Sequence, residues 1–207
     1  MDAAPSPAAS SAVDVKTALR ARMAERRDAA APEERARWSE AVFRHVVELP
    51  AYRSAALIHC FLSIRSELDT HFIVEHALAH GKRVAIPVFK RNREETASCE
   101  IDTLADDAYR ISGFGLRIPL VSRPVEPPEI DLVLVPLLAF ASVSAGEDTA
   151  MRWLRLGYGA GYYDRLLSRT CAPKVGIAFD LQRVYTLPRE PHDILLDAVI
   201  TQSGLQI

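Results

Sequence analysis

After its first residue, the stretch Asp131-Leu132-Val133-Leu134-Val135-Pro136-Leu137-Leu138-Ala139-Phe140 carries no polar side chain. Such a run reads as a buried strand, and Pro136, which has no N–H to give to a ladder, marks its end. Further strand patterns fall at Ala55 to Leu62, Arg83 to Phe89, Val175 to Phe179 and Leu195 to Ile200. Helical patterns alternate with them. Val13 to Ala30 is expected to be helical with Asp14 as N-cap, and Pro32 opens a second helix that reaches Val47. Thr70 caps a third helix that Gly81 stops, and Tyr162 to Arg169 forms a fourth with Leu166 and Leu167 facing inward. This alternation favours a layered, Rossmann-like α/β sheet with helices on both faces. Lys90 to Pro128 is less regular, with prolines near 119 to 128, and reads as short strands and loops covering a cleft. A single domain over residues 13–207 is expected, preceded by an Ala-, Ser- and Pro-rich disordered tail over residues 1–12.

Charge and residue usage exclude several roles. A net charge of −2 gives no general basic footprint for nucleic acid. The Lys/Arg-rich piece from Lys16 to Arg27 reads as a solvated helix face. Cys60, Cys99 and Cys171 lack paired metal-ligand spacing and are expected to be free thiols. His71, His76 and His80 share part of a helix as packing and surface residues. No apolar run is long enough to span a bilayer and no signal-peptide pattern opens the chain, so a cytoplasmic monomer is expected.

Three of the nine glycines fall within five positions of Arg155-Leu156-Gly157-Tyr158-Gly159-Ala160-Gly161-Tyr162-Tyr163-Asp164-Arg165. Without Cβ atoms, successive backbone N–H groups can turn into one anion-binding concavity, and a helix starting near Gly161 adds its positive end. Arg155 is placed to pair with phosphate oxygens, and Asp164 to hold the Mg²⁺ that accompanies a triphosphate. The segment is neither a Walker A loop nor a dinucleotide fingerprint. From these residues alone, a glycine-rich turn with Tyr162 and Tyr163 packed as core is an equal alternative.

Val135-Pro136, Ala139-Phe140 and the run Arg155 to Arg165 form a signature that resembles the 5-formyltetrahydrofolate cyclo-ligase (methenyltetrahydrofolate synthetase) family. Lys16-x-x-Leu19-Arg20, Ser63-x-x-x-Glu67-x-x-Thr70 and Gly81-Lys82-x-Val84-x-x-Pro87 extend the resemblance. So do Gly176-Ile177-Ala178-Phe179, Gln182, Leu187-Pro188 and His192-Asp193. It implies ATP-dependent closure of 5-formyltetrahydrofolate to 5,10-methenyltetrahydrofolate, with ATP as co-substrate and Mg²⁺ as cofactor. Arg155 and Tyr162 would be catalytic. Lys16, Arg20, Arg155, Leu156, Gly157, Tyr158, Gly159, Ala160, Gly161, Tyr162 and Tyr163 would bind nucleotide. Leu62, Glu67, Tyr158, Gly159, Ala160, Gly161 and Tyr162 would contact the folate, and Asp164 and Asp193 the metal. Lys16 and Arg20, four apart, share a helix face. The chain departs from the family at Ala160, where Lys or Gly is common, at Ala141 in place of Asp, at Ile118-Pro119 in place of Glu-Pro, and in a longer segment from Ser142 to Leu154. Two readings stand: an active cyclo-ligase, or a nucleotide- or folate-binding relative without turnover.

Overall fold

Leu132, Val133, Leu134 and Val135 have no exposed surface: alternate side chains enter two different apolar clusters, one on each face of a sheet. A strand buried on both faces needs cover on both, and the computed structural model shows how the chain supplies it. The structure describes residues 12–89, 96–113, 115–121, 123–143 and 151–206. Apart from Ala12, the expected N-terminal tail lies outside them.

In chain order the elements are α1 (Ala12–Asp28), α2 (Pro32–Glu48), α3 (Pro50–Ser54), β1 (Leu57–His59), α4 (His71–Ala79), β2 (Arg83–Phe89), β3 (Thr96–Ile101), β4 (Tyr109–Ile111) and β5 (Arg117–Pro119). There follow β6 (Pro124–Val125), β7 (Leu132–Pro136), β8 (Ala139–Val143), β9 (Arg152–Leu156), α5 (Tyr162–Leu167), β10 (Lys174–Ile177), β11 (Ala198–Thr201) and β12 (Gly204–Gln206). Eight strands form the main sheet in the order β12-β11-β10-β7-β1-β2-β3-β6. The five from β11 to β2 are parallel; β12 and β3 run antiparallel to them, and the edge strand β6 pairs antiparallel with β3. From β1 the chain steps to β2 on one side and later returns to β7 on the other. That reversal opens a crevice at the carboxyl ends of β1 and β7.

One face is covered by α2, α3 and α4, through Val42, Val46, Tyr52, Ile73 and Val74. The opposite face packs on Tyr162, Tyr163, Leu166 and Leu167 of α5 and on Phe140 and Trp153 of a β8–β9 hairpin. Helices thus lie on both faces, with a hairpin sharing the second. Leu19 and Met23 dock α1 onto Leu138, Ala139 and Leu156 at the end of that hairpin. Among the described residues, no helix is long and apolar enough to cross a membrane.

Several boundaries differ from those read in the sequence. The helix expected from Val13 starts at Ala12, so Asp14 lies in its first turn rather than capping it. Leu49 stands extended before Pro50, which disfavours a helical predecessor; α2 ends there, and α3 begins unforeseen. The strand expected over Ala55 to Leu62 is confined to Leu57–His59, beyond which the chain leaves the sheet for the crevice. Thr70 makes no side-chain cap: its hydroxyl donates to Phe61 O at 2.7 Å, and Asp69 Oδ1 accepts the His71 N–H at 2.9 Å. The segment Ser142 to Leu154 begins and ends as paired strand, Ser142 with Trp153 and Val143 with Arg152; residues 144–150 lie outside those described. The three cysteines are free, as expected.

Gly176 on β10 is fixed by packing. A Cβ there would lie 2.8 Å from Leu137 Cδ2, 2.8 Å from Leu196 Cδ1 and 3.2 Å from Val199 Cγ2. Gly176→Ala is therefore expected to cost about 1–3 kcal/mol of stability through overpacking. A lowered denaturant midpoint with unchanged slope is the result to look for; an unchanged midpoint would show that the layer beneath β10 has room.

Candidate active site

Strand β9 ends at Leu156 and α5 starts at Tyr162, so the five residues between them must reverse direction without regular hydrogen bonding. Gly159 and Gly161 do this with φ of 91° and 66°, values that L side chains rarely adopt. Close approach adds a second demand at Gly159: a Cβ would sit 3.3 Å from Arg20 Cζ. Arg20 reaches across from α1, and its Nε donates to Gly157 O at 2.9 Å. The glycine loop is thus bolted to α1 by a cation.

Arg155 projects from β9 into the same space, with its side chain only 7% exposed, and its Nη2 donates to Asp164 Oδ1 at 2.6 Å. The Ile194 N–H reaches the same oxygen at 3.4 Å, which brings the turn around Glu190 to Ile194 against α5. In that turn Asp193 Oδ2 accepts the Glu190 N–H at 2.8 Å and Lys16 Nζ at 2.8 Å. Lys16 Nζ also donates to Glu190 Oε2 at 2.6 Å. Burial disfavours the charge on both Lys16 and Asp193, yet their mutual pairing wins: Asp193 is held below the usual carboxylate range, and Lys16 is raised above the ordinary lysine value. The carboxylates read as metal ligands, Asp164 and Asp193, are therefore each joined to a cation read as a phosphate ligand. Glu190, the second partner of Lys16, carried no recognisable signal in the sequence. Among the described residues one group of potential metal ligands appears, Glu190, His192 and Asp193, whose ligand atoms lie within 4.8 Å of one another. Asp164 borders it rather than belonging to it.

The other wall forms where the chain leaves β1. Thr70 ties this loop to Phe61 O, and Arg65 takes a left-handed φ of 54° at its bend. Glu67 turns inward, and Oε2 accepts the Ile64 N–H at 3.0 Å. Burial raises its pKa, against the opposing pull of that N–H, of the Tyr158 hydroxyl and of Arg27 and Arg65. Tyr158, between Gly157 and Gly159, accepts a 2.7 Å hydrogen bond from Arg27 Nη2. Lys16 and Arg27 are 7% and 5% exposed. The helix face read as solvated is thus turned inward at these two positions, because each cation finds buried oxygen partners.

Tyr162 and Tyr163 are both largely core residues that reach the cleft. The Tyr162 hydroxyl donates to Ala97 O at 2.9 Å and lies 3.1 Å from Ser98 Oγ; burial pushes its pKa up to about 12. Tyr162 therefore stands as a wall of the cleft with its hydroxyl turned to β3.

These walls enclose a cleft of about 320 Å³ at the carboxyl ends of β1 and β7. Lys16, Arg20, Leu62, Glu67, the whole run from Arg155 to Asp164, and Asp193 all open onto it. Ala160 stands there too, whereas Ala141 is buried in β8 and Ile118 and Pro119 lie in β5. His192, quoted in the sequence with Asp193 but given no role there, lines the same space, as do Glu190, Ile64 and Leu116, which were not singled out.

Residues 12–202 match the sequence pattern of the 5-formyltetrahydrofolate cyclo-ligase family. The chain belongs to that family. It is 30% identical over 184 residues to the 5-formyltetrahydrofolate cyclo-ligase of Escherichia coli, covering 86% of this chain and 96% of that one. The solved structure of Aquifex aeolicus 5,10-methenyltetrahydrofolate synthetase superposes with a TM-score of 0.76 at 29% identity, covering 93% of this chain and 92% of the other. A 5,10-methenyltetrahydrofolate synthetase from Mycoplasma pneumoniae gives 0.69 at 25% identity, covering 90% and 98%. Family members of this kind are ligases, and the departures at Ala160, Ala141 and Ile118-Pro119 leave the shared fold intact.

Gly159 offers the sharpest test of the loop. Gly159→Val combines a strained φ, worth about 1–3 kcal/mol, with displacement of Arg20. It is expected to weaken ATP binding about tenfold or more. Gly113→Ala, where a Cβ meets nothing within 4 Å, serves as the control and is expected to leave binding unchanged. Calorimetric titration of both variants, with melting curves alongside, checks this.

Proposed function

We propose that the cleft performs ATP-dependent ring closure of 5-formyltetrahydrofolate to 5,10-methenyltetrahydrofolate, with ADP and phosphate as the other products. The observation that carries the reading is the meeting, in one cleft, of three cations and a glycine cradle with a half-buried carboxylate. Lys16, Arg20, Arg155, Gly157 to Gly161 and Glu67 all line it.

The formyl group on N5 is an amide, and its carbon is a poor target for the weakly nucleophilic N10 nitrogen. Attack of the formyl oxygen on the γ-phosphorus breaks the bond to the β,γ-bridging oxygen and releases ADP. The N10 nitrogen then bonds to the activated carbon, the carbon–oxygen bond breaks, and the oxygen leaves within phosphate as the N10 proton is lost. Positioning and charge stabilisation are the protein's share of this chemistry. Arg155, released from Asp164 as nucleotide binds, neutralises charge that moves onto the leaving oxygens, and backbone N–H groups of the loop donate to the phosphates. Each well-placed donor is worth on the order of 3 kcal/mol in the transition state. Glu67 accepts from the amino and ring N–H groups of the pterin, and Leu62 supplies apolar wall.

Mg²⁺ fits the donor set on the opposite rim. Asp164 and Asp193 offer hard carboxylate oxygens to one cleft, and both already attract cations. These two residues would hold the ion, which supplies countercharge to the phosphates.

The near-ultraviolet absorbance of the methenyl product tests the reading: it should rise when purified protein receives 5-formyltetrahydrofolate, Mg²⁺ and ATP, and stay flat without ATP. Binding of both ligands with no product would instead identify a relative without turnover. Glu67→Gln keeps the size of the side chain and removes its charge; it is expected to raise the KM for 5-formyltetrahydrofolate about tenfold or more, while ATP binding to the folate-free protein changes less than about twofold. Equal weakening of both would take Glu67 out of the pterin wall. Asp164→Asn and Asp193→Asn should each raise the Mg²⁺ concentration needed for half-maximal rate by at least about tenfold. A normal magnesium curve in folded variants would remove the metal assignment and leave the glycine loop standing.

A further inference from the structure

Three cations of α1 fasten three different walls of the cleft. Lys16 holds the turn at Glu190 and Asp193, Arg20 holds Gly157 O, and Arg27, eleven residues and about three turns beyond Lys16, holds the remaining side. Lys16 and Arg20 have a place in the phosphate chemistry proposed above; Arg27 has had none. The residue is nevertheless only 5% exposed, a burial that a permanent charge tolerates only with its donors well placed.

Those donors go to two separate segments. Nε donates to Ser66 Oγ at 3.1 Å, and Ser66 Oγ in turn donates to Asp28 at the end of α1. Nη2 donates to the Tyr158 hydroxyl at 2.7 Å. Ser66 immediately precedes Glu67, and Tyr158 stands between Gly157 and Gly159 of the phosphate cradle. The Tyr158 hydroxyl also lies near enough to Glu67 to favour its ionised form. One planar fork therefore clasps the pterin wall and the phosphate wall at a single point, while the Tyr158 residue, 55% exposed, keeps a face open to the cleft.

We propose that Arg27 is a positioning residue that couples the two substrate walls, so that folate bound against Glu67 tightens nucleotide binding at the glycine loop, and the reverse. The inference rests on the functional reading of the cleft given above. A ligand that orders Glu67 also orders Ser66 beside it and, through Arg27, Tyr158, and Tyr158 sets the direction of the flanking backbone N–H groups. Arg27 fixes the pivot on which this depends. A lysine has one compact charge and cannot present two donors in the same rigid fork.

The test is a set of dissociation constants for the ATP analogue with an imido β,γ-bridge, in Mg²⁺, measured without and with saturating 5-formyltetrahydrofolate. Wild-type protein is expected to bind the analogue about tenfold more tightly when folate is present, within the usual range of coupling between sites. In Arg27→Lys the two constants should agree to within about twofold. Tyr158→Phe keeps the ring and removes the shared hydroxyl; it should abolish the coupling likewise, and it serves the same purpose if Arg27→Lys fails to fold. Combining the two changes should then cost no further coupling, because both break one connection. Wild-type protein that binds neither ligand overturns the functional reading itself. Wild-type protein that binds both with independent affinities, or folded Arg27→Lys or Tyr158→Phe protein that keeps the tenfold ratio, overturns the coupling role alone.

Discussion

A lysine ammonium buried between two carboxylates organises this cleft. Lys16 meets Glu190 and Asp193 at 2.6 and 2.8 Å, and Arg155 repeats the arrangement with Asp164 at 2.6 Å. Removing such charges from water costs several kcal/mol per ion unless each meets a partner, so neither pair can open alone without leaving a charge stranded. On the proposed reading, a magnesium–nucleotide complex would resolve that constraint. Its phosphates would offer a partner to the cations while its metal offered one to the carboxylates, so both pairs would be exchanged at once. Free triphosphate or free metal would satisfy only half of the site.

The same pairs hold the architecture together around the crevice. The connections that leave the neighbouring parallel strands β1 and β7 go to opposite sides, creating an opening that the sheet itself cannot close. α1 closes it from outside: Leu19 and Met23 dock on the β8–β9 hairpin, and Lys16, Arg20 and Arg27 reach inward to three walls. A helix attached by charges to the ligand-binding walls belongs to the site as much as to the fold. On the proposed reading, Lys16 and Arg20 would meet the nucleotide with the side chains that also tie α1 to the cleft walls.

How much of this was legible in the sequence depended on whether the signal was local. Strand β2 was bounded as found because its residues and its limits are contiguous, and β7 was legible because an apolar run bears the mark of burial on both faces. The glycine loop was visible from density alone. The β8–β9 hairpin was not, since Ala139 to Val143 continues the apolar run of β7 and its partner, Arg152 to Leu156, lies beyond a long connection. Glu190 gave no signal because an isolated carboxylate acquires meaning only when a lysine 174 positions away is folded onto it. Arg27 was hidden for a related reason. A Lys/Arg-rich helix is ordinarily solvated, and only the alignment of Lys16, Arg20 and Arg27 with Leu19 and Met23 shows which side turns inward. Thr70 had the right type for a cap but spends its hydroxyl on Phe61 O, holding the loop that presents Glu67.

The exchange of ion pairs is most directly tested by a crystal structure with Mg²⁺ and the imido analogue of ATP bound. The account predicts Lys16 Nζ and the Arg155 guanidinium within hydrogen-bond distance of phosphate oxygens, the glycine-loop N–H groups directed at those phosphates, and carboxylate oxygens of Asp164 and Asp193 turned to the metal. A nucleotide bound with both the Lys16–Asp193 and Arg155–Asp164 pairs intact, and with its phosphates away from residues 157–161, would contradict it.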